Sequence, residues 1–202
     1  MSTTQPQASF PATGSRHPAG WWCGALSAAA VAAVVVLAGT EATARIALTS
    51  GEAIAIAQGV SVTPAPGWTL GNRGPNWVAL NNADTSAQMR ITVKQAGGTD
   101  AAAVLQSDID QFTRGASAIL TGVNRLSAPD TRPLVGPNFQ QEASVNYTAN
   151  VVHPQGAIPV IGTFTELLNT SDGRSAFIDF RQNGGATTQA AGDGGTMIGS
   201  ME

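Results

Sequence analysis

The stretch ASVNYTANV, residues 143–151, alternates without a break: Ala143, Val145, Tyr147, Ala149 and Val151 against Ser144, Asn146, Thr148 and Asn150. Successive side chains of a strand point to opposite faces, so this period of two marks a strand with one face in a core. The segments downstream extend the pattern. "HPQG" at 153–156 turns the chain into Ile158 to Leu168, and "NTSDGR" at 169–174 reads as a hairpin loop. Ser175 to Arg181 then returns with Ala176, Ile178 and Phe180 on one face. Upstream, Met89, Ile91 and Val93 alternate with Arg90, Thr92 and Lys94. Trp77 to Leu80, Trp68 to Leu70, and Val60 with Val62 are earlier extended runs, parted by "NNADTS", "GNRGPN" and "TPAPGW".

One segment departs from this period. Between Asp100 and Arg114, Ala101, Val104, Leu105, Ile109 and Phe112 fall on a single helical face. Thr99 is placed to cap that helix, Asp100 suits its positive dipole end, and Gly115 stops it. Ile119 to Leu126 reads as a further strand, and the prolines of "SAPDTRPLVGPN" (127–138) exclude a central strand there. Glu52 to Ala57 is open to two readings, a first strand or the continuation of an upstream helix. The fold class expected is α+β, an antiparallel β-sheet with one main packed helix, preceded by a single N-terminal transmembrane helix.

The membrane segment is read from Trp21 to Gly39, which carries no charge and would span about 28 Å as a helix, close to a bilayer's hydrocarbon thickness. Trp21 and Trp22 suit an interfacial aromatic belt, and Arg16 and His17 ahead of the run favour a cytoplasmic N-terminus. A cleaved, secreted form is the alternative, because Ala42-Thr43-Ala44 is an A-x-A site of the kind signal peptidase uses. Leu37, Ala38 and Gly39 resemble the approach to a lipidation site, but Thr40 stands where the thiol must be. Cys23, the sole cysteine, opens the apolar run and permits no intrachain disulfide. The expected organisation is a disordered cytoplasmic N-terminus (1–20), the membrane helix (21–40), a juxtamembrane segment (41–58), an exported α+β domain (59–182) and a disordered Gly/Thr/Ala-rich tail (183–202).

Composition removes one class of function. Charged residues make up 11% of the 202, the net charge is −3, and Lys94 is the single lysine. Nucleic-acid binding needs clustered cations to displace counterions from phosphates, and no window supplies them.

"GVSVTPAPGWTL" (59–70), followed by an apolar strand, "MRITVKQ" (89–95) and then a helix, resembles the PsbP-like group of actinobacterial envelope proteins. That group includes the mycobacterial LpqN-type lipoproteins. The resemblance covers roughly residues 59–182 and implies an antiparallel sheet with helices packed against it. It also implies an accessory or binding role without a shared catalytic set. The chain departs from the group in lacking the lipobox cysteine, replaced by Thr40, and an amphipathic helix after Phe180.

No catalytic, cofactor-binding or metal-binding residues are assigned. His153 precedes Pro154 in a turn with no orienting acid near it, so no triad is built. Asp108 and Asp110 sit two apart on a helix and face different ways, which reads as solvated. Asp179 reads as a solvent-face strand residue. "GNRGPN" lacks the lysine and helix of a phosphate loop. Trp68, Trp77 and Tyr147 are the large amphipathic aromatics that could line a binding surface, with core packing as the plainer role. The function expected is a single-pass envelope membrane protein, held in the cell membrane by residues 21–40. Its exported domain is expected to be non-catalytic and to contact an envelope protein, without a cofactor. A carrier for an apolar or lipid ligand beneath the sheet is the alternative, and a hydrolase ranks third.

Overall fold

The computed structural model describes residues 51–202. The expected membrane helix and the residues before it lie outside them. Among the described residues no helix is long and apolar enough to cross a membrane.

A small antiparallel hairpin comes first, β1 (Ile54–Ala57) and β2 (Val60–Val62). Its turn runs through Gln58 and Gly59, both at positive φ, the backbone a tight hairpin needs. The main sheet then takes β3 (Thr69–Arg73), β4 (Trp77–Asn81) and β5 (Ala87–Gln95). After helix α1 (Ala101–Gly115) come β6 (Leu120–Arg125), β7 (Asp130–Pro133), β8 (Gln141–His153), β9 (Gly156–Leu168) and β10 (Arg174–Asn183). Helix α2 (Thr188–Gly199) follows. The strand order is β3-β4-β5-β10-β9-β8-β6, with β7 also paired to β8 and every pairing antiparallel. The last strand of the chain therefore lies in the middle of the sheet, between β5 and β9. The α+β class and the main helix are as the sequence implies.

Each face of the sheet carries its own core. On one, Val78, Leu80, Met89, Ile91, Val93, Leu167, Ala176, Ile178 and Phe180 pack under the β1–β2 hairpin, Trp68 and helix α2. On the other, Val145, Tyr147, Phe164, Leu168 and Phe177 pack under Leu105, Ile109 and Phe112 of α1. The two covers lie over different halves. Helix α1 packs across β8 and β9, while the hairpin packs on β4 and β5. Helix α2 also packs on Phe180 and its end reaches Asn138 beside β8, so what stays without a covering helix or hairpin is the β4–β5 part of the α1 side and, on the other side, the β8–β9 part around Ile161.

Three boundaries differ from the sequence reading. Of the two readings of Glu52 to Ala57 the first strand holds, with Ile54 and Ile56 buried in β1, so the domain begins inside the expected juxtamembrane segment. The tail is not disordered. Ala190, Gly194, Met197 and Met201 recur at helical spacing and bury against the sheet, and the carboxyl-terminal Glu202 pairs with Arg132 at 2.9 Å. Gly194 explains how a glycine-rich segment packs as a helix, since a Cβ there would meet the Phe180 ring at 2.9 Å. The helix that follows Phe180 is thus present. Finally, Asp100 rather than Thr99 is the cap of α1, its carboxylate accepting from the Ala103 N–H at 2.8 Å.

Candidate functional site

Strand register arranges the α1-side face into rows. One row crosses β4, β5, β10, β9 and β8 as Asn81, Gln88, Arg181, Gly162 and Tyr147. The next is Ala79, Arg90, Asp179, Phe164 and Val145, and the third is Trp77, Thr92, Phe177, Glu166 and Ala143. Tyr147, Phe164 and Phe177 form an aromatic diagonal through these rows. The Tyr147 and Phe164 rings stack at 4.0 Å, Phe164 and Phe177 stack at 5.7 Å, and Phe112 of α1 meets Phe164 edge-on at 5.7 Å. A buried polar group flanks each end of the diagonal.

At the first end Gly162 leaves a slot, and the Tyr147 ring leans across it. A Cβ at Gly162 would lie 2.6 Å from that ring and 2.5 Å from the Phe180 carbonyl oxygen. Through the slot the Tyr147 hydroxyl donates to Asp179 Oδ1 at 2.5 Å, and Arg181 Nη1 stands 3.6 Å from Asp179 Oδ2. Burial holds the Asp179 carboxyl above the usual carboxylate range, against the pull of Arg181, the Tyr147 hydroxyl and Arg90. Burial, and then Asp179, push the Tyr147 phenol far up as well. Neither group reaches solvent: Asp179 is 1% and Tyr147 0% exposed. Arg181 Nη2 donates to Gln88 Oε1, and Gln88 Nε2 donates to Asn81 Oδ1 at 2.9 Å, a chain of amides that fixes the guanidinium. On the neighbouring row the Arg90 guanidinium lies 4.4 Å from the centre of the Trp77 ring.

The second polar group lies beneath α1. Asp108 is buried and pairs with Lys94, the protein's single lysine. Glu166 is fully buried beside them. Burial first, and the Asp108 carboxylate second, push its carboxyl up to about 9, against Ser175 and Lys94. Glu166 is therefore neutral at pH 7, and neither of its oxygens accepts a hydrogen bond from the described residues. A shallow hollow of about 310 Å³, lined by Lys94, Gly97, Ser107 and Asp108 among others, adjoins this group. Chemically it can share a proton between carboxyls, but Glu166 offers no surface to a substrate.

The three aromatics singled out by their chemistry do not converge. Trp68 is buried on the hairpin side, its Nε1 donating to Asp193 Oδ2 of α2 at 3.0 Å. Tyr147 is buried on the α1 side, and Trp77 is half-buried on that same side, on β4, two strands from β10. Asp108 and Asp179, expected to be solvated, are both interior. Each lies on a face whose second layer comes from distant chain, which local alternation does not report. Asp110 is exposed and accepts from Gln106 at 2.8 Å. His153 sits in the exposed β8–β9 turn, with its Nδ1 accepting from the Gln155 N–H at 3.3 Å. Among the described residues no group of three or more His, Cys, Asp and Glu side chains is placed to hold a metal ion.

The chain matches no protein-family model and no curated protein. Among solved structures it is similar to a point mutant of the protein Mog1, with a TM-score of 0.50 and 10% identity over 76% of this chain and 93% of that one. The Ran-binding protein Mog1p of Saccharomyces cerevisiae is similar at a TM-score of 0.48 and 11% identity, over 75% of this chain and 93% of that one. A protein of Bacteroides thetaiotaomicron aligns at a TM-score of 0.37 and 12% identity, over 76% and 48%. The Mog1 likeness is one of fold, an antiparallel sheet with helices packed on it.

Proposed function

We propose that residues 51–202 are a non-catalytic protein-interaction domain, displayed outside the cell membrane on a single-pass anchor at residues 21–40. In this reading residues 1–20 are cytoplasmic, and the chain is an envelope protein of the PsbP-like group. One observation carries the proposal: the two covers lie over different halves of the sheet, so each face keeps an uncovered half. On the α1 side that half carries Trp77, Gln88, Arg90 and Thr92. On the other it carries Asn146, Thr148, Ile161 and Thr163, with Ile161 54% exposed. Flat sheet surfaces with large side chains suit contact with another protein, whose hot spots favour tryptophan and arginine. The titrating carboxyls Glu166 and Asp179 are sealed in the core, which supports a role without general acid–base chemistry.

The test is photo-cross-linking in the native cell, with the reactive side chain at Thr92 or Ile161 and, as a control, at exposed Asp172. A discrete protein adduct from either half-face, absent from the control, is expected. Adducts from none of them would sink the proposal. Protease added to cells stripped of outer layers should digest the domain and spare an N-terminal tag.

A further inference from the structure

We infer that the open half-face of β4, β5 and β10 beside α1 recognises carboxylates, and that its occupant is an acidic segment of a partner protein. This deepens the interaction-domain reading and rests on it. The face presents Arg90 and Arg181 on adjacent strands and in adjacent rows. Arg90 is stacked on Trp77 and has no hydrogen-bonded acceptor among the described residues, so its donors remain available. Arg181 is held from one side by Gln88, which Asn81 holds in turn. The one carboxylate facing these cations, Asp179, is 1% exposed; its Oδ1 is occupied by the Tyr147 hydroxyl and its Oδ2 lies 3.6 Å from Arg181 Nη1, so Asp179 turns toward Arg181 and leaves Arg90 without a paired carboxylate. The accessible cation of the patch is therefore Arg90, with Arg181, 14% exposed, adding its charge from beneath, in a protein whose net charge is −3.

The chemistry of the donors selects the ligand. A guanidinium presents a planar fork that matches a carboxylate in a bidentate pair, and stacking on an aromatic ring pre-orients that fork. Beside Arg181 lies a hollow of about 240 Å³, lined by Asn81, Ser86, Gln88 and Asn183 among others. That is room for a side chain, below the roughly 300–1,000 Å³ of small-molecule sites. Charge complementarity also excludes the chain's own N-terminal segment as occupant. Residues 1–50 hold a single acidic residue, Glu41, against Arg16 and Arg45.

The experiment uses the full-length protein in a neutral detergent and a fluorescein-labelled peptide of alternating Asp and Glu, read by anisotropy at low salt. Binding is expected for this peptide and not for its Asn/Gln counterpart. Arg90→Gln, which removes no hydrogen bond of the fold, should weaken binding at least about tenfold. Arg90→Lys should fall between, since it keeps the charge and loses the fork. Arg181→Gln is the second variant and should also weaken binding. Absence of binding, or equal binding by the parent, Arg90→Gln and Arg181→Gln, would overturn the inference. So would displacement of the peptide by inorganic phosphate at equal concentration. Arg90-dependent binding to phosphatidylglycerol vesicles with no peptide binding would overturn it in favour of a membrane surface. Cross-linked adducts that persist at full yield in Arg90→Gln would remove the carboxylate patch and leave the interaction domain standing. Loss of all adducts in the parent would remove the domain reading itself.

Discussion

Glu166→Gln should stabilise the domain, and by an amount that grows with pH. In the fold the Glu166 carboxyl titrates near 9, and in the unfolded chain near its ordinary 4.5. Between those values the folded protein binds the extra proton. Stability is then fully present below pH 4.5 and falls as pH rises, by about 1.4 kcal/mol per pH unit, until the folded carboxyl ionises. From 4.5 to pH 7 the accumulated loss is about 3.4 kcal/mol. Glutamine has the shape of the neutral acid and does not titrate, so the variant escapes this loss. For a chain of this length the difference corresponds to a gain of roughly 7–14 °C in Tm at pH 7. Urea unfolding of parent and variant at pH 5, 6, 7 and 8 measures it, because titrating groups distant from Glu166 and Asp108 cancel in the difference. The two stabilities should diverge steadily with pH. Parallel curves from pH 5 to 8 would refute the reasoning and mean that Glu166 is ionised in the fold, with Lys94 as its counter-ion.

Other perturbations follow from the same packing. Tyr147→Phe removes the hydroxyl that donates to buried Asp179 and should cost about 1–3 kcal/mol in urea unfolding, with near-UV dichroism preserved. Gly162→Ala places a methyl against the Phe180 carbonyl and the Tyr147 ring, and should cost about 1–3 kcal/mol by thermal unfolding, since the backbone oxygen cannot step aside. Deleting residues 188–202 uncovers Phe180 and Trp68 and removes Met197 and Met201 from the core. Each such loss is worth about 2–5 kcal/mol, against a typical total of about 5–15, so the truncated protein should lose its cooperative transition and bind a hydrophobic dye.

What could be read in the sequence was whatever a single element determines by itself. The alternation at 143–151 located β8, and the spacing of Val104, Leu105, Ile109 and Phe112 located α1 and its buried face. Less legible was anything that depends on which elements meet. Alternation in "SAFIDF" marks Ala176, Ile178 and Phe180 as core and assigns Asp179 to solvent by default. Strand β10 runs through the middle of the sheet with cores on both sides, so the default fails there. Asp108 reads as solvated for the same reason: its burial depends on Lys94 and Glu166, which arrive from β5 and β9. Helix α2 was hidden by its glycines, which lower helix propensity, although Ala190, Met197 and Met201 carry the right spacing. It packs where the Phe180 ring lies so close to Gly194 that a Cβ would meet it at 2.9 Å, a contact made with a distant strand. The row of Asn81, Gln88 and Arg181 exists only through strand register, which turns and pairing decide together.

Accessibility of a thiol on the open half-face, in the native membrane, tests the interaction-domain account most directly. With Cys23 replaced by Ser, Thr92→Cys and exposed Asp172→Cys are each labelled by a membrane-impermeant maleimide, first in native membranes and then after purification of the full chain. The account predicts that Thr92→Cys is protected in membranes and becomes reactive once the partner is stripped away, while Asp172→Cys labels equally in both. Equal labelling of Thr92→Cys before and after purification would contradict it.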